Sequence, residues 1–301
     1  MNALAGLLDM SVPKLYEFSE SSDTYYLLHE KIDKPDGTSR YIYNVREPLK
    51  AVLRRVNAIF AHRCQFPDYL TGSLPGWSYV KNAELHTGQG TVIAIDATNF
   101  FPSVKQSMVE EVWRQFYGCD ETVSILLADL CCYQGALAQG SPPSSYLANL
   151  AFWNIEPLIV GEFKKRGYVY SRYVDDIIVS HSRRLTRPEK SWAICSAKKV
   201  FLSRDLKVKA RKTKVMDRNV RQEVHKRSVN AGRVCAPRNL KNQLRAEVNR
   251  FSEGLKSGPR NMTQPDQQYA KIRSRILHLK QFNRSAAEKL LDKLESAYSG
   301  R

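Results

Sequence analysis

The sequence predicts an α+β fold, a body of short strands and helices followed by a mostly helical C-terminal lobe. Three observations carry that expectation. Thr91–Asp96 is a nearly all-apolar run ending in an acid, the pattern of a buried central strand whose end emerges at an edge. Two further strand-like stretches, 168–173 and 177–180, flank Val174-Asp175-Asp176. Beyond about residue 235 the pattern turns helical and basic. With 301 residues, 43% hydrophobic and 26% charged, the chain can build a proper core. That composition excludes a disordered tail, a fibre or a membrane bundle.

Taken in order, residues 1–30 read as short helices around Pro13. Lys34-Pro35-Asp36-Gly37 is a turn signal between aromatic and β-branched stretches at 25–30 and 40–45, which predicts a hairpin. After Pro48, residues 49–63 place Leu49, Val52, Leu53, Val56 and Phe60 on one helical face. A loop rich in Gly, Pro and Ser covers roughly 66–78. Residues 105–117 and 121–132 read as helices, and 142–159 as one more, with proline in its first turn. A helix over 191–205 and a strand over 207–216 follow. The last third reads as helices at 239–252, 268–282 and 285–298, with a loop over 254–268. Units at 1–90, 91–234 and 235–301 are expected.

The 47 Lys+Arg against 30 Asp+Glu give a net charge of +17, unevenly spread. Residues 1–200 carry 22 basic and 21 acidic groups, whereas residues 201–301 carry 25 and 9. A neutral body with a basic C-terminal module fits a polyanionic partner, most simply nucleic acid; the alternative is a merely solvated surface. The six cysteines show no C-x-x-C spacing and read as free thiols in a reducing compartment. The first ten residues lack a basic n-region and contain Asp9, so no secretory signal is expected. The apolar stretch 123–138 is interrupted by Asp129 and Gln134 and is too polar to span a bilayer. A cytoplasmic protein without membrane contact is expected.

Asp96 ends one apolar strand, and Asp175 and Asp176 sit between two others. Adjacent acids in apolar surroundings must be exposed at a turn or neutralised by cations. An isolated Asp-Asp pair would read as hairpin-tip acids. With a third carboxylate at the end of another strand, the set becomes a hard oxygen site suited to two Mg²⁺ ions in phosphoryl transfer. Nucleases, phosphatases and polymerases all remain open on this ground.

The neighbouring residues resemble the reverse transcriptases, and among them the bacterial retron-type enzymes. Asp96-Ala97-Thr98-Asn99-Phe100-Phe101-Pro102-Ser103-Val104 is similar to their first palm motif. Gln139-Gly140-Ser141-Pro142-Pro143-Ser144-Ser145-Tyr146-Leu147-Ala148-Asn149 resembles their Gln-Gly-x-Pro-x-Ser-x-x-Leu-x-Asn motif. Tyr173-Val174-Asp175-Asp176 is their x-x-Asp-Asp signature, and Lys212-Thr213 is like the motif that follows. Asn82-Ala83-Glu84-Leu85-His86 matches the Asn-Ala-x-x-His element of retron enzymes; by itself His86 reads as a hydrogen-bonded structural histidine. The family usually has proline where Ala138 stands, and retron enzymes carry Val-Thr-Gly where this chain has Val224-His225-Lys226.

The resemblance implies a right-hand polymerase with fingers, palm and thumb that copies a structured noncoding RNA into cDNA from dNTPs. It also implies an anti-phage setting with a separate effector protein. Asp96 and Asp175, with the carbonyl of Ala97, would hold two Mg²⁺ ions, and Asp176 would complete the acidic cluster. Phe101 matches the steric gate against a ribose 2′-OH, while Phe100 reads as core. Gln139 and Gly140 would line the nucleotide pocket, the glycine letting the backbone approach the incoming base pair. Arg40 is placed to grip the triphosphate and Lys212 to meet the departing pyrophosphate, although each also reads as a simple basic residue. On the helix around Ile272 and Ile276, Lys271, Arg273 and Arg275 would follow a phosphate backbone. Two other readings stand beside this one: untemplated or unusually primed DNA synthesis, and a non-catalytic RNA-binding scaffold.

Overall fold

The computed structural model describes residues 1–34, 37–61, 63–208, 210–236, 239–256 and 264–300. Its strands are β1 (Tyr26–Asp33), β2 (Ser39–Val45), β3 (Thr91–Asp96), β4 (Cys132–Tyr133), β5 (Ala136–Leu137), β6 (Val169–Tyr173), β7 (Asp176–His181), β8 (Lys214–Asp217), β9 (Glu223–Val224) and β10 (Arg227–Ser228). Four of them form the central antiparallel sheet in the order β6-β7-β3-β8. The fold class is α+β, as the sequence predicts.

The strands in the middle of the sheet are apolar on both faces because both faces are covered. Ile93, Ile95, Ile177 and Val179 join the main core, which includes the helix Arg187–Leu202. Val92 and Ile178 point the other way, into a smaller cluster with Val80, Met216 and Val224. The three C-terminal helices, Leu240–Lys256, Pro265–Lys280 and Arg284–Ser299, enclose a core of their own around Leu244, Val248, Ile276 and Leu294. Tyr79 ties this lobe to the body through a 2.7 Å hydrogen bond to His278.

Several elements differ from expectation. The hairpin forms and its first strand runs on to Asp33, while Pro35 and Asp36 of the turn signal lie outside the described residues. The single helix expected over 142–159 is two, Ser144–Leu150 and Glu156–Lys165. Pro157 has no N–H to donate and its ring crowds the carbonyl four residues back, that of Trp153, so it sits in the first turn of a new helix and not inside a continuous one. The expected strand 207–216 shrinks to Lys214–Asp217. Ahead of it the chain makes only a bridge from Val208 to Ala97 and then a 3₁₀ turn, Ala210–Lys212, so Lys212 is not on a strand. The C-terminal helices reach into both ends of the loop placed at 254–268, whose residues 257–263 lie outside the described set. Not foreseen were the helix Tyr79–Glu84, the hairpin β4–β5 and the hairpin β9–β10.

Inside the sheet, β6 carries a fully buried arginine. Arg172 donates through Nε to Glu156 Oε1 at 2.7 Å and through Nη2 to Glu156 Oε2 at 2.8 Å. Its remaining hydrogens go to the side chain and backbone carbonyls of Asn149, at 3.3 and 2.9 Å, and to the carbonyl of Val174 at 3.2 Å. Five donors thus meet five acceptors, and Tyr170 adds a 2.7 Å hydrogen bond to the same Glu156. Removing one partner of a buried, hydrogen-bonded pair typically costs about 3–5 kcal/mol, because the other charge is stranded. Arg172→Ala should lower the unfolding free energy by that amount in denaturant titration; a loss of under about 1 kcal/mol would show that the pair is not structurally necessary.

Candidate active site

The ends of β3 and β7 create the site. Their register sets Asp96 opposite Asp176, and the Ala97 N–H donates to the Asp175 carbonyl at 3.0 Å. Tyr173 pairs with Asp176 across the next hairpin, leaving Val174 and Asp175 at its tip. Val174 has φ 57°, a left-handed conformation that disfavours β-branched side chains. Its surroundings impose it. Arg172 holds the Val174 carbonyl, and Gly72 presses so closely that a Cβ there would lie 2.3 Å from the Val174 nitrogen. Asn149 in turn donates to the Gly72 carbonyl at 2.9 Å. Strain of this kind persists where the neighbours over-determine the backbone.

The three acids open into a cavity of about 580 Å³, which is also lined by Arg40, Ala97, Phe101, Gln139, Gly140, Lys212 and His225. The structure therefore brings together residues from widely separated stretches of sequence. Burial first, then the charges of Asp176 and Asp96, push the Asp175 carboxyl up to about 6, against a smaller opposing pull from Arg40. Lys212 places its ammonium against both oxygens of Asp96, at 2.8 and 3.0 Å. His225 Nδ1 stands 3.5 Å from Asp176 Oδ2.

This donor set fits divalent cations. Asp96, Asp175 and Asp176 offer hard oxygens in one cavity, and burial with the neighbouring acids holds Asp175 against ionisation, so a divalent ion would supply charge that Lys212, engaged with Asp96, does not give the other two. Among the described residues no three acidic, cysteine or histidine groups already converge as a ready-made metal cluster. Lys212 neutralises Asp96 instead.

Phe101 is half-buried at the cavity edge, while Phe100 is core, packed on Phe152 and Phe201 as expected. For Gly140 the structure adds a reason of its own. Its φ is +106°, and a Cβ would lie 2.1 Å from the carbonyl oxygen of Tyr43. The Tyr43 N–H also donates to the Gln139 carbonyl at 2.8 Å. The glycine thus seats the β1–β2 hairpin against this loop.

Asn82 and His86 lie beneath the cavity, fully buried. His86 contacts Ser180 at 2.7 Å and Ser171 at 2.8 Å, the structural placement its reading suggested. Lys271, Arg273 and Arg275 are not in the cavity. Arg275 pairs with Glu247, Arg273 reaches Glu295 at 4.0 Å, and Lys271 shares a groove with Glu247 and Arg250. Gly72, Arg172 and His225 carried no sequence-level prediction of a role at the site. Glycine in a loop, arginine in a strand and a histidine in a turn are too common to single out.

Comparison with known proteins identifies the family. Residues 32–230 match the family "Reverse transcriptase (RNA-dependent DNA polymerase)". The retron Se72 reverse transcriptase of Salmonella heidelberg (strain 579083-10) is 30% identical over 194 residues, covering 64% of this chain and 51% of that one. The retron Ec48 reverse transcriptase of Escherichia coli is 30% identical over 227 residues, covering 71% and 55%. A foamy viral protease-reverse transcriptase in complex with double-stranded DNA aligns with 97% of this chain and 44% of its own, at TM-score 0.48 and 16% identity. The chain spans about half the length of the curated relatives it matches. With two-thirds of its length matched by the family and its relatives drawn from retrons, the chain belongs to the reverse transcriptase (RNA-dependent DNA polymerase) family and is of the retron type.

Proposed function

We propose that the protein is an RNA-templated DNA polymerase that makes cDNA from a dedicated noncoding RNA. The observation that carries this reading is the meeting of Asp96, Asp175 and Asp176 in one cavity with Phe101, Arg40 and Lys212. Asp96, Asp175 and the Ala97 carbonyl would hold two Mg²⁺ ions beside Asp176. Bound there, the ions supply Lewis-acid charge for the attacking and leaving oxygens of an in-line displacement. A strand-end hydroxyl attacks the α-phosphate of a dNTP, a new P–O bond forms, and the α–β bond breaks to release pyrophosphate.

Each residue has its part in that step. Arg40, on β2, faces the triphosphate with a fork of donors. Lys212 lies at the same wall and carries the charge of the departing pyrophosphate. Phe101 fills the space that a 2′-OH would need, and Gln139 lines the pocket beside it. The division into fingers over 1–90, palm over 91–234 and basic helical thumb over 235–301 gives Lys271, Arg273 and Arg275 the role of tracking the nucleic-acid backbone. Free cysteines and the absence, among the described residues, of any helix long and apolar enough to cross a membrane support a cytoplasmic setting. Anti-phage defence with a separate effector protein follows from the resemblance to retron enzymes.

Three measurements test the reading. Radiolabelled dNTP incorporation on a primed RNA template should fall at least about a thousandfold in an Asp175→Ala, Asp176→Ala double variant, about 4 kcal/mol of transition-state stabilisation. Unchanged incorporation would reject the assignment. Phe101→Ala should admit rNTPs that the native protein excludes, and a native protein that prefers rNTPs would remove Phe101 as a gate. The third concerns pH. Because the Asp175 carboxyl titrates near 6 when folded, against about 3.9 in an unfolded chain, its ionisation burdens the folded state. That burden is absent below about pH 4, grows between about 4 and 6, and is complete above about 6. Metal-free Asp175→Asn should therefore unfold with up to about 3 kcal/mol more stability at about pH 8 and with no advantage at about pH 4. Added Mg²⁺ should stabilise the native protein at the higher pH more than the variant. A stability gain from Asp175→Asn that does not change with pH would refute the electrostatic account.

A further inference from the structure

We infer that the end of the central sheet opposite the acids carries a second nucleotide-binding site, where one unpaired nucleotide packs its base against Arg166 and Trp192 and rests its phosphate on the Arg166 guanidinium. The inference goes beyond the polymerase reading and uses none of the residues that line the catalytic cavity.

A cavity of about 400 Å³ lies there, lined by Arg166, Tyr168, Arg183, Pro188, Glu189 and Trp192. Tyr168 stands just before β6, and Tyr173, beside the acids, ends that strand. At the rise of an extended chain the two sites are roughly 17 Å apart. Local structure builds the cavity. The helix Glu156–Lys165 runs out at Arg166, Gly167 takes φ 74°, and the chain turns back into β6. Arg166 and Tyr168 therefore stand on either side of a left-handed glycine. Trp192 comes from the second turn of the helix Arg187–Leu202. Phe163, fully buried, packs on both aromatic walls, with centroids 5.5 Å from Tyr168 and 5.1 Å from Trp192. The walls are thus fixed before any ligand arrives, which lowers the cost of binding.

The charge of the cavity selects an anion. The Arg166 guanidinium lies over the Trp192 ring, 4.2 Å from its centroid. Arg166 is exposed, and Glu162, one helical turn back, is engaged by Lys165 at 2.7 Å. Among the described residues no carboxylate pairs with Arg166. A guanidinium on an indole keeps its N–H groups at the rim, and donors without an acid suit a phosphate. The acid of the cavity is committed elsewhere. Glu189 receives Arg183 at 3.1 and 2.5 Å, and the Thr186 N–H and hydroxyl at 2.8 Å each. No free carboxylate is left to draw a cationic ligand. Lys164, Lys165 and Arg184, exposed on the flanking segments, add to the positive field.

The aromatic walls select a flat ring beside that anion. Bases stack on indole, phenol and guanidinium faces whatever their sequence, and a nucleotide joins such a ring to a phosphate. A base inside a duplex has both faces covered by its neighbours, so the nucleotide that enters is an unpaired one.

The test uses the full chain with an unlabelled primed RNA template already bound, so that the catalytic cavity is filled. Anisotropy then follows a labelled octamer of adenylate, and its affinity is compared with that of an octamer of abasic ribose phosphates. The native protein should favour the bases about five- to fiftyfold, the worth of stacking one base. In Arg166→Gln and Trp192→Leu the preference should fall to about unity, while Trp192→Phe, which keeps a ring, should retain part of it. Incorporation of dNTP on the primed template should be unchanged in all three. Arg166 is exposed and its variant keeps the fold, so the answer does not depend on Trp192→Leu, whose ring packs on Phe163. Displacement of the octamer by AMP marks a site for free mononucleotide, and an octamer that stays bound marks a site for a strand; the nucleotide chemistry holds in both. A native protein that binds the two octamers equally has only a polyanion contact, and that overturns the inference. So does a preference that survives both substitutions, since the base is then held elsewhere. Incorporation is read separately, so a native protein that incorporates no dNTP ends the polymerase reading and leaves this ratio to be judged alone.

Discussion

A guanidinium sealed inside a protein must place every N–H it carries or forfeit several kcal/mol, and Arg172 meets that demand by reaching into three separate segments. One is the helix start that bears Glu156, another the helix of Asn149, and the third the Val174 turn. Because one rigid group bonds all three, the turn that presents Asp175 cannot shift without unsatisfying a buried charge. Gly72 closes the remaining side, and its carbonyl is itself held by Asn149. The geometry of the acids therefore follows from satisfying an arginine that touches none of them. Asn149 stands in the Gln-Gly-x-Pro motif and Arg172 comes immediately before Tyr173-Val174-Asp175-Asp176, so one motif and the residue flanking the other supply this support.

The uneven charge of the chain takes on a spatial meaning around this frame. The near-neutral first 200 residues concentrate three acids at one sheet end, where burial and mutual repulsion hold Asp175 partly against ionisation. The basic last hundred residues lend Lys212 to that acidic end. They also form a helical lobe whose cations are in part engaged with its own acids, as Arg275 with Glu247 and Arg273 with Glu295. Arg275 and Glu247 are half-buried, whereas the exposed pair of Arg273 and Glu295 contributes little to stability and leaves Arg273 available to a polyanion.

How much could be read in advance depended on the range of the interaction. The central strands were legible because burial on both faces writes a continuous apolar run, as in Thr91–Asp96. The acids were legible because carboxylates at apolar strand ends are expensive unless they have a purpose. Contacts between distant segments left no local trace. Nothing near Gly140 signals that Tyr43 will lie against it, and nothing near His225 signals Asn82, 143 residues away. The break at Pro157 and the capping box of Thr186 and Glu189 were written locally and follow from ordinary helix rules. The motif suggested a place for Lys212 near the reacting phosphates, yet its segment pairs with the sheet only at Val208 before turning, which no periodicity reveals.

The contact between Lys212 and Asp96 has a consequence for how such a site fills. A carboxylate whose two oxygens both face an ammonium would hold a divalent ion more weakly until that ammonium moves, so on the proposed reading cation loading would be in part an exchange. The displaced lysine needs another anion, and the nearest that the reaction offers is the nucleotide's own phosphate chain. Thermodynamic reciprocity then requires that nucleotide tighten the hold on the ion by the same factor as the ion tightens the hold on nucleotide. One surface lysine would thus make metal and triphosphate prefer to arrive together.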